Sequence, residues 1–177
     1  MQLNDERIIK ADPATVWAAI LDPAVLQACI PGCESLTGSV AEGFEAVVSQ
    51  KVGPVSARFT GLVTLSDVLA PHSLTISGEG KGGVAGFAKG GASVSFVPEG
   101  EGTKLTYAAE AKVGGKIAQL GSRIIDSFAR KLADEFFQRF QDAVEGPDAE
   151  EEEPQASGAD NENQDKPKKG WFRRLIS

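Results

Sequence analysis

Histidine and tyrosine each occur once in these 177 residues, and cysteine and tryptophan twice each. The single histidine excludes most hydrolytic and metal constellations. His72 follows a proline in an expected turn and has no evident partner, so a Ser-His-Asp arrangement built on it is disfavoured. A four-ligand zinc site would have to recruit carboxylates. Cys29 and Cys33 are spaced for one helix face, but Pro31 and Gly32 between them break any helix. They read as small buried residues at a helix–strand junction, and no metal site is expected. Two cysteines do not make a disulfide framework, which suits a reducing compartment. No apolar run approaches the roughly 18 residues a spanning helix needs. The first ten residues are polar and charged, unlike a secretory signal. The expected location is cytoplasmic, with any membrane contact peripheral.

Positive charge is also scarce in the first four-fifths of the chain. Residues 1–144 carry 16 acidic and 13 basic side chains, and residues 145–177 carry 9 and 5. A near-neutral domain with no basic face implied by composition argues against nucleic acid as the main partner.

Regular patterning fills residues 1–144. Residues 2–10 read as an opening strand. Asp12-Pro13 and Asp22-Pro23 each pair an N-cap with proline at the first helical position, so two short helices follow, the first through Trp17 to about Leu21 and the second to about Ala28. From Ser35 to Val113 the text is strand text. Val55, Ala57, Phe59, Gly61, Val63 and Leu65 alternate with Ser56, Arg58, Thr60, Thr64 and Ser66, the period-two pattern of a sheet with one dry face. Turn signals at Gly53-Pro54, Ala70-Pro71-His72 and Pro98–Gly102 punctuate about six strands in an antiparallel meander. Residues 115–144 carry Ile117, Leu120, Ile124, Phe128, Leu132, Phe136 and Phe140 at helical spacing, read as one long helix whose apolar face lies on the dry side of the sheet. The class is α+β.

A curved sheet gripping one helix leaves a cavity or fills it, depending on side-chain size. Small residues stand at expected inward positions: Ala46, Ala57, Gly61, Gly78, Gly80, Ala92, Ala109 and Ala111. One reading is a hollow for an apolar small molecule. It would be lined by Phe59, Val63, Phe96 and Tyr107 from the sheet and by Ile117, Leu120, Ile124 and Phe128 from the helix. The other is that the same aromatic residues fill the gap. Trp17 reads as core. The segment Gly78–Gly91 holds seven of the 20 glycines. It lacks the GxxxxGK[ST] pattern and a following helix, so a mobile strand connection at a cavity mouth is expected rather than a phosphate loop. Phe87 within it reads as a plug or a partner contact. No acidic residue is expected at an inward strand position, and no catalytic residue is assigned; a binding module is favoured over an enzyme.

Residues 145–165 are Glu, Asp, Gln, Asn, Ala, Gly and Ser, broken only by Pro147 and Pro154, and bury too little apolar surface to order. Such a tether spans on the order of 25 Å r.m.s.. Residues 166–177 pack five cations around four apolar side chains. Lys168, Lys169, Trp171, Phe172, Arg173, Arg174, Leu175 and Ile176 read as a tip for an anionic membrane surface. A docking peptide for a protein partner, or a tail that touches nothing, are the alternatives.

Several strings together resemble the CoxG family, named for the G subunit of carbon monoxide dehydrogenase. They are the opening strand, Pro13-Ala14-Thr15-Val16-Trp17, Asp22-Pro23, Cys29-Ile30-Pro31-Gly32-Cys33-Glu34, Gly78-Glu79-Gly80-Lys81-Gly82-Gly83 and Gly86-Phe87-Ala88-Lys89-Gly90. The resemblance covers roughly residues 1–144; the tail is similar in plan only. It implies a helix-grip fold (START-like, Bet v 1-like) of the SRPBCC group, whose members hold apolar ligands between sheet and helix. It also implies a non-enzymatic role beside a molybdenum hydroxylase of the carbon monoxide dehydrogenase type. That role is bringing the enzyme to the inner face of the cell membrane and handing its electrons to a bound quinone, menaquinone or ubiquinone. An assembly factor for the hydroxylase's molybdenum cofactor is the alternative. A small hydrolase or cyclase of the same fold is the least favoured, for want of a poised base.

Overall fold

Alternating side chains and tight turns produce a single antiparallel sheet in the computed structural model, which describes residues 1–146. The strands are β1 (Gln2–Ile9), β2 (Cys33–Ser39), β3 (Gly43–Val52), β4 (Val55–Leu69), β5 (Ser73–Lys81), β6 (Phe87–Glu99) and β7 (Gly102–Gly114). Strands β2 to β7 form the expected meander. The opening strand pairs with β7, giving the order β1-β7-β6-β5-β4-β3-β2. Every pairing is antiparallel.

Two short helices, α1 (Pro13–Ile20) and α2 (Pro23–Cys29), begin as their sequences dictate. The Asp12 carboxylate accepts from the Thr15 N–H at 3.0 Å, and the Asp22 carboxylate from the Ala24 N–H at 2.9 Å. Each thereby satisfies a donor that the first helical turn leaves open. The final helix, α3 (Ser122–Glu145), is 24 residues long. It is shorter than the helix expected over 115–144. Lys116–Leu120 instead forms a separate 3₁₀ turn bounded by Gly115 and Gly121, whose φ values of +83° and +93° leave the helical region. Ile117 and Leu120 therefore do not share a helix face with Ile124 and Phe128.

The glycine-rich stretch also differs from expectation. Most of it is strand: Gly78–Lys81 ends β5 and Phe87–Gly91 starts β6, with only a 3₁₀ turn at Gly83–Ala85 between them. Glycine is required there by close approach. A Cβ on Gly90 would collide with the Glu110 carbonyl, and one on Gly91 would come within 2.7 Å of the Ile76 carbonyl. Both positions let neighbouring strands bend into contact.

Side-chain size grades along the strands. The inward row Arg7–Leu105–Phe96 and the next, Asp5–Tyr107–Val94–Leu74, are large. The following rows shrink to Leu3–Ala109–Ala92–Ile76–Leu65, then Ala111–Gly90–Gly78–Val63, then Val113–Ala88–Gly80–Gly61–Ala46. The main core sits where the rows are large. Ile9, Val16, Cys29, Leu74, Phe96, Leu105, Tyr107, Phe137 and Phe140 form one buried cluster there.

Candidate functional site

The size gradient closes one end of the molecule and leaves the other open. At the closed end, α3 contributes Phe137 and Phe140, both buried, and Phe136, stacked on Phe140 with ring centroids 5.9 Å apart. Towards its start α3 buries nothing: Ile124 is 40% exposed, and Ile125, Phe128 and Leu132 are half-buried. Opposite them, every inward residue of β4 from Val55 to Leu65 is half-buried rather than buried. Apart from Ile76 and Val113, the facing rows on β5, β6 and β7 are alanine and glycine, so little side chain enters the space between. A Cβ on Gly80 would meet nothing closer than the Thr60 carbonyl at 4.0 Å, and one on Gly61 nothing closer than 3.7 Å. Between the small-residue half of the sheet and the first half of α3, apolar side chains are thus left partly open to solvent.

The eight residues expected to line a pocket divide between these two ends. Phe59 and Val63 stand on the β4 wall, with the Phe59 ring lying over Gly82. Ile124 and Phe128 face from α3. Leu120 reaches this region from the 3₁₀ turn, and Ile117 beside it is buried. Phe96 and Tyr107 lie instead in the closed end. Phe96 meets Trp17 edge-on at 5.3 Å, and Tyr107 stacks on Phe137 at 5.3 Å. Trp17 packs against the core.

Sequence reading missed a charged group on the dry face. Asp5 and Arg7 occupy inward register positions on β1, opposite Tyr107 and Leu105. The expectation that no acidic residue points inward therefore fails at Asp5; an edge strand lets its carboxylate stay half in water. Arg7 donates to Asp134 of α3 at 2.7 Å, pairs with Asp5 at 3.2 Å and lies 5.0 Å over the Phe137 ring. Burial works against the Arg7 cation. The bond to Asp134 and the proximity of Tyr107 and Asp5 outweigh that penalty and hold its pKa above the ordinary arginine value. The group ties β1 to the closed half of α3, a structural use. The polar alternation of residues 2–7 was the only trace of it in the sequence.

The outer face of the sheet carries a separate trough of about 810 Å³. Its floor is the outward rows Gln2–Glu110–Gly91–Ser77–Thr64 and Asn4–Ala108–Ser93–Thr75, with Leu62, Glu79 and Lys89 at one side.

Groups with reactive chemistry are few. His72 is exposed in its turn, its N–H donating to the Leu69 carbonyl and its carbonyl accepting from the Phe96 N–H at 2.8 Å. Cys29 is buried at the end of α2, and burial pushes its thiol pKa up; Cys33 is half-buried and shifted the same way for the same reason. Among the described residues no group of three or more His, Cys, Asp or Glu is arranged to hold a metal, and no helix is long and apolar enough to cross a membrane. The expected membrane tip, Lys168 to Ile176, and the tether before it lie outside the described residues.

Comparison with known proteins agrees with this architecture. The family model for CoxG, the G subunit of carbon monoxide dehydrogenase, matches residues 6–145. No curated protein matches the chain. Among solved structures, a conserved protein from Geobacillus kaustophilus is 28% identical with a TM-score of 0.76, covering 81% of this chain and 95% of its own. An uncharacterized protein from Rhizobium leguminosarum is 18% identical with a TM-score of 0.63, covering 82% and 94%. A Thermus thermophilus protein is 16% identical with a TM-score of 0.60, covering 81% and 97%. The last two share the fold alone. The sheet, its order and the C-terminal helix make this a helix-grip fold.

Proposed function

The chain belongs to the CoxG family, whose name links it to carbon monoxide dehydrogenase, and we propose that it is a non-enzymatic accessory protein carrying an apolar small molecule, a quinone, for a molybdenum hydroxylase of that type at the cytoplasmic membrane. The observation that supports this most is the half-closed grip. A solid core of this size needs only one end of the sheet. The other end keeps an apolar lining partly open to solvent, which costs about 25 cal/mol for each Å² left unburied. A ligand that buries this lining recovers that free energy.

The residues fit such a ligand. Phe59, Val63, Leu120, Ile124 and Phe128 are apolar, and the glycine and alanine rows leave room for a flat ring and its isoprenoid chain. Lys168 to Ile176 would hold the complex at anionic lipid, each cation adding about 1 kcal/mol near the surface. Such attachment is reversible and weakens with salt.

Native mass spectrometry of the gently purified full chain, followed by solvent extraction, tests the proposal. A stoichiometric quinone is the expected result. A clean apo mass that stays unchanged on incubation with short-chain quinone analogues overturns carriage. Enzyme from a strain lacking this protein separates the remaining alternative: cofactor-replete but soluble hydroxylase is expected, and hydroxylase lacking its molybdenum cofactor would make the protein an assembly factor.

A further inference from the structure

Three turns converge at the open end of the sheet. They are the β3–β4 turn at Gly53-Pro54, the β5–β6 turn at Gly82–Gly86, and the segment Gly114–Gly121 before α3. Their adjacency is measurable. A Cβ on Gly53 would touch Leu120 at 3.6 Å and Ile124 at 3.7 Å, and Gly86 lies against the backbone of Gly114 and Gly115. Turn tips are normally polar. Here Val84 is 89% exposed, Phe87 45% and Ile124 40%. Val84 stands in the β5–β6 turn, where Ala85 is buried and holds the turn against the body, and Phe87 follows it at the start of β6 with its ring over Gly114.

Charge is polarised along the same axis. Exposed Lys51, Lys81, Lys89, Lys112, Lys116 and Arg123 surround these tips. The carboxylates nearby are Glu79, 3.7 Å from Lys81, together with Glu110 and Asp126. The turns at the opposite end carry exposed Glu42, Asp67, Glu99 and Glu101. A domain with a net excess of acid therefore presents one cationic end, and that end is where apolar side chains stand in water.

We propose that this end is a docking face for an anionic lipid bilayer, formed by the folded domain itself and independent of residues 166–177. Val84 and Phe87 enter the headgroup region while the lysines and Arg123 meet lipid phosphate. A basic ring around projecting apolar tips matches an anionic interface. An acidic protein would satisfy the cations but offers no general reason for a valine to stand almost fully exposed at a turn. Docking in this orientation turns the open half of the grip towards the bilayer. That gives the carriage reading a route for an apolar ligand, although the docking stands on its own observations.

The test uses the full chain in a Cys33→Ser background, with a nitroxide at Val84→Cys or, as control, at Asp67→Cys. Cys29 is buried and does not label. Vesicles are phosphatidylcholine with phosphatidylglycerol, compared with phosphatidylcholine alone, and contain no quinone, so failure of quinone carriage leaves the result untouched. With anionic vesicles the label at position 84 is expected to gain oxygen accessibility and lose accessibility to a water-soluble nickel chelate, while the label at 67 stays in water. Reversal of Lys81, Lys116 or Arg123 to glutamate is expected to lower partitioning about five-fold for each cation lost. A chain that floats with vesicles while position 84 remains in water overturns the proposal and leaves the tail as sole attachment. Partitioning unchanged by the charge reversals overturns it as well and turns the basic end towards an acidic protein partner.

Discussion

Tyr107 of β7 lies nearly flat against Phe137 of α3, ring centroids 5.3 Å apart and planes 19° from parallel. This stack, with Arg7 on the same Phe137 ring, pins the second half of the helix to the sheet and leaves the first half lightly held. Closure at one end and access at the other follow from it.

Stability and binding are therefore expected to separate along α3. Phe137→Ala removes a buried ring from the closed end and should cost about 3–5 kcal/mol. Phe128→Ala removes a half-buried ring facing the hollow and should cost about 1–2 kcal/mol, near the lower limit for such truncations. Urea unfolding checks both. Equal losses would mean that the helix is seated uniformly along its length.

Filling the hollow should abolish carriage without unfolding the protein. At Gly80 a side chain enters space rather than backbone, with no contact closer than 4.0 Å. Gly80→Leu is expected to keep the melting temperature within a few degrees, corresponding to about 1 kcal/mol or less, and to reduce binding of a quinone analogue at least about tenfold. Isothermal titration at matched protein concentration reads the difference. Unchanged affinity would place the ligand elsewhere.

The α1 cap predicts an acid-limb signature. Hydrogen bonds from the Thr15 side chain and backbone hold the Asp12 carboxyl below its usual pKa range. A depressed folded pKa means stabilisation that is fully present above the unfolded value and lost as pH falls through the folded one. Asp12→Ala should thus melt below the parent at neutral pH, with the gap narrowing below the usual carboxylate range. A gap constant with pH would show that the charged cap contributes nothing.

Thiol chemistry should report burial. With both thiol pKa values raised by burial, alkylation by iodoacetamide at about pH 8 should be slower at Cys33 than for free cysteine. Cys29 should react only on unfolding. Rapid modification of Cys29 in the native state would show that the end of α2 opens readily.

The meander, the strand faces and both capped helices were legible because each rests on local rules: alternation with period two, turn residues, and an aspartate before a proline. Val55 to Leu65 alternate half-buried and exposed as written. The 3₁₀ turn at Lys116–Leu120 was not legible. Its apolar residues continue the helical period, and only two glycines with positive φ break it, a choice made by how β7 must turn to enter α3. Asp5 and Arg7 were hidden because an edge strand tolerates charge on its inner face once a partner arrives from α3, more than a hundred residues away.

Local chemistry thus sets the elements of this protein, their order and the small residues on its inner face, because propensity, capping and patterning act over a few residues. Which end of the inner face is covered by large side chains was decided by long-range packing. Phe137 and Phe140 could anchor α3 only where the facing rows are large, and that match exists at one end of the sheet. The gathering of Val84, Phe87, Lys116 and Arg123 on one face has the same origin, since turns distant in sequence become neighbours only when the strands align.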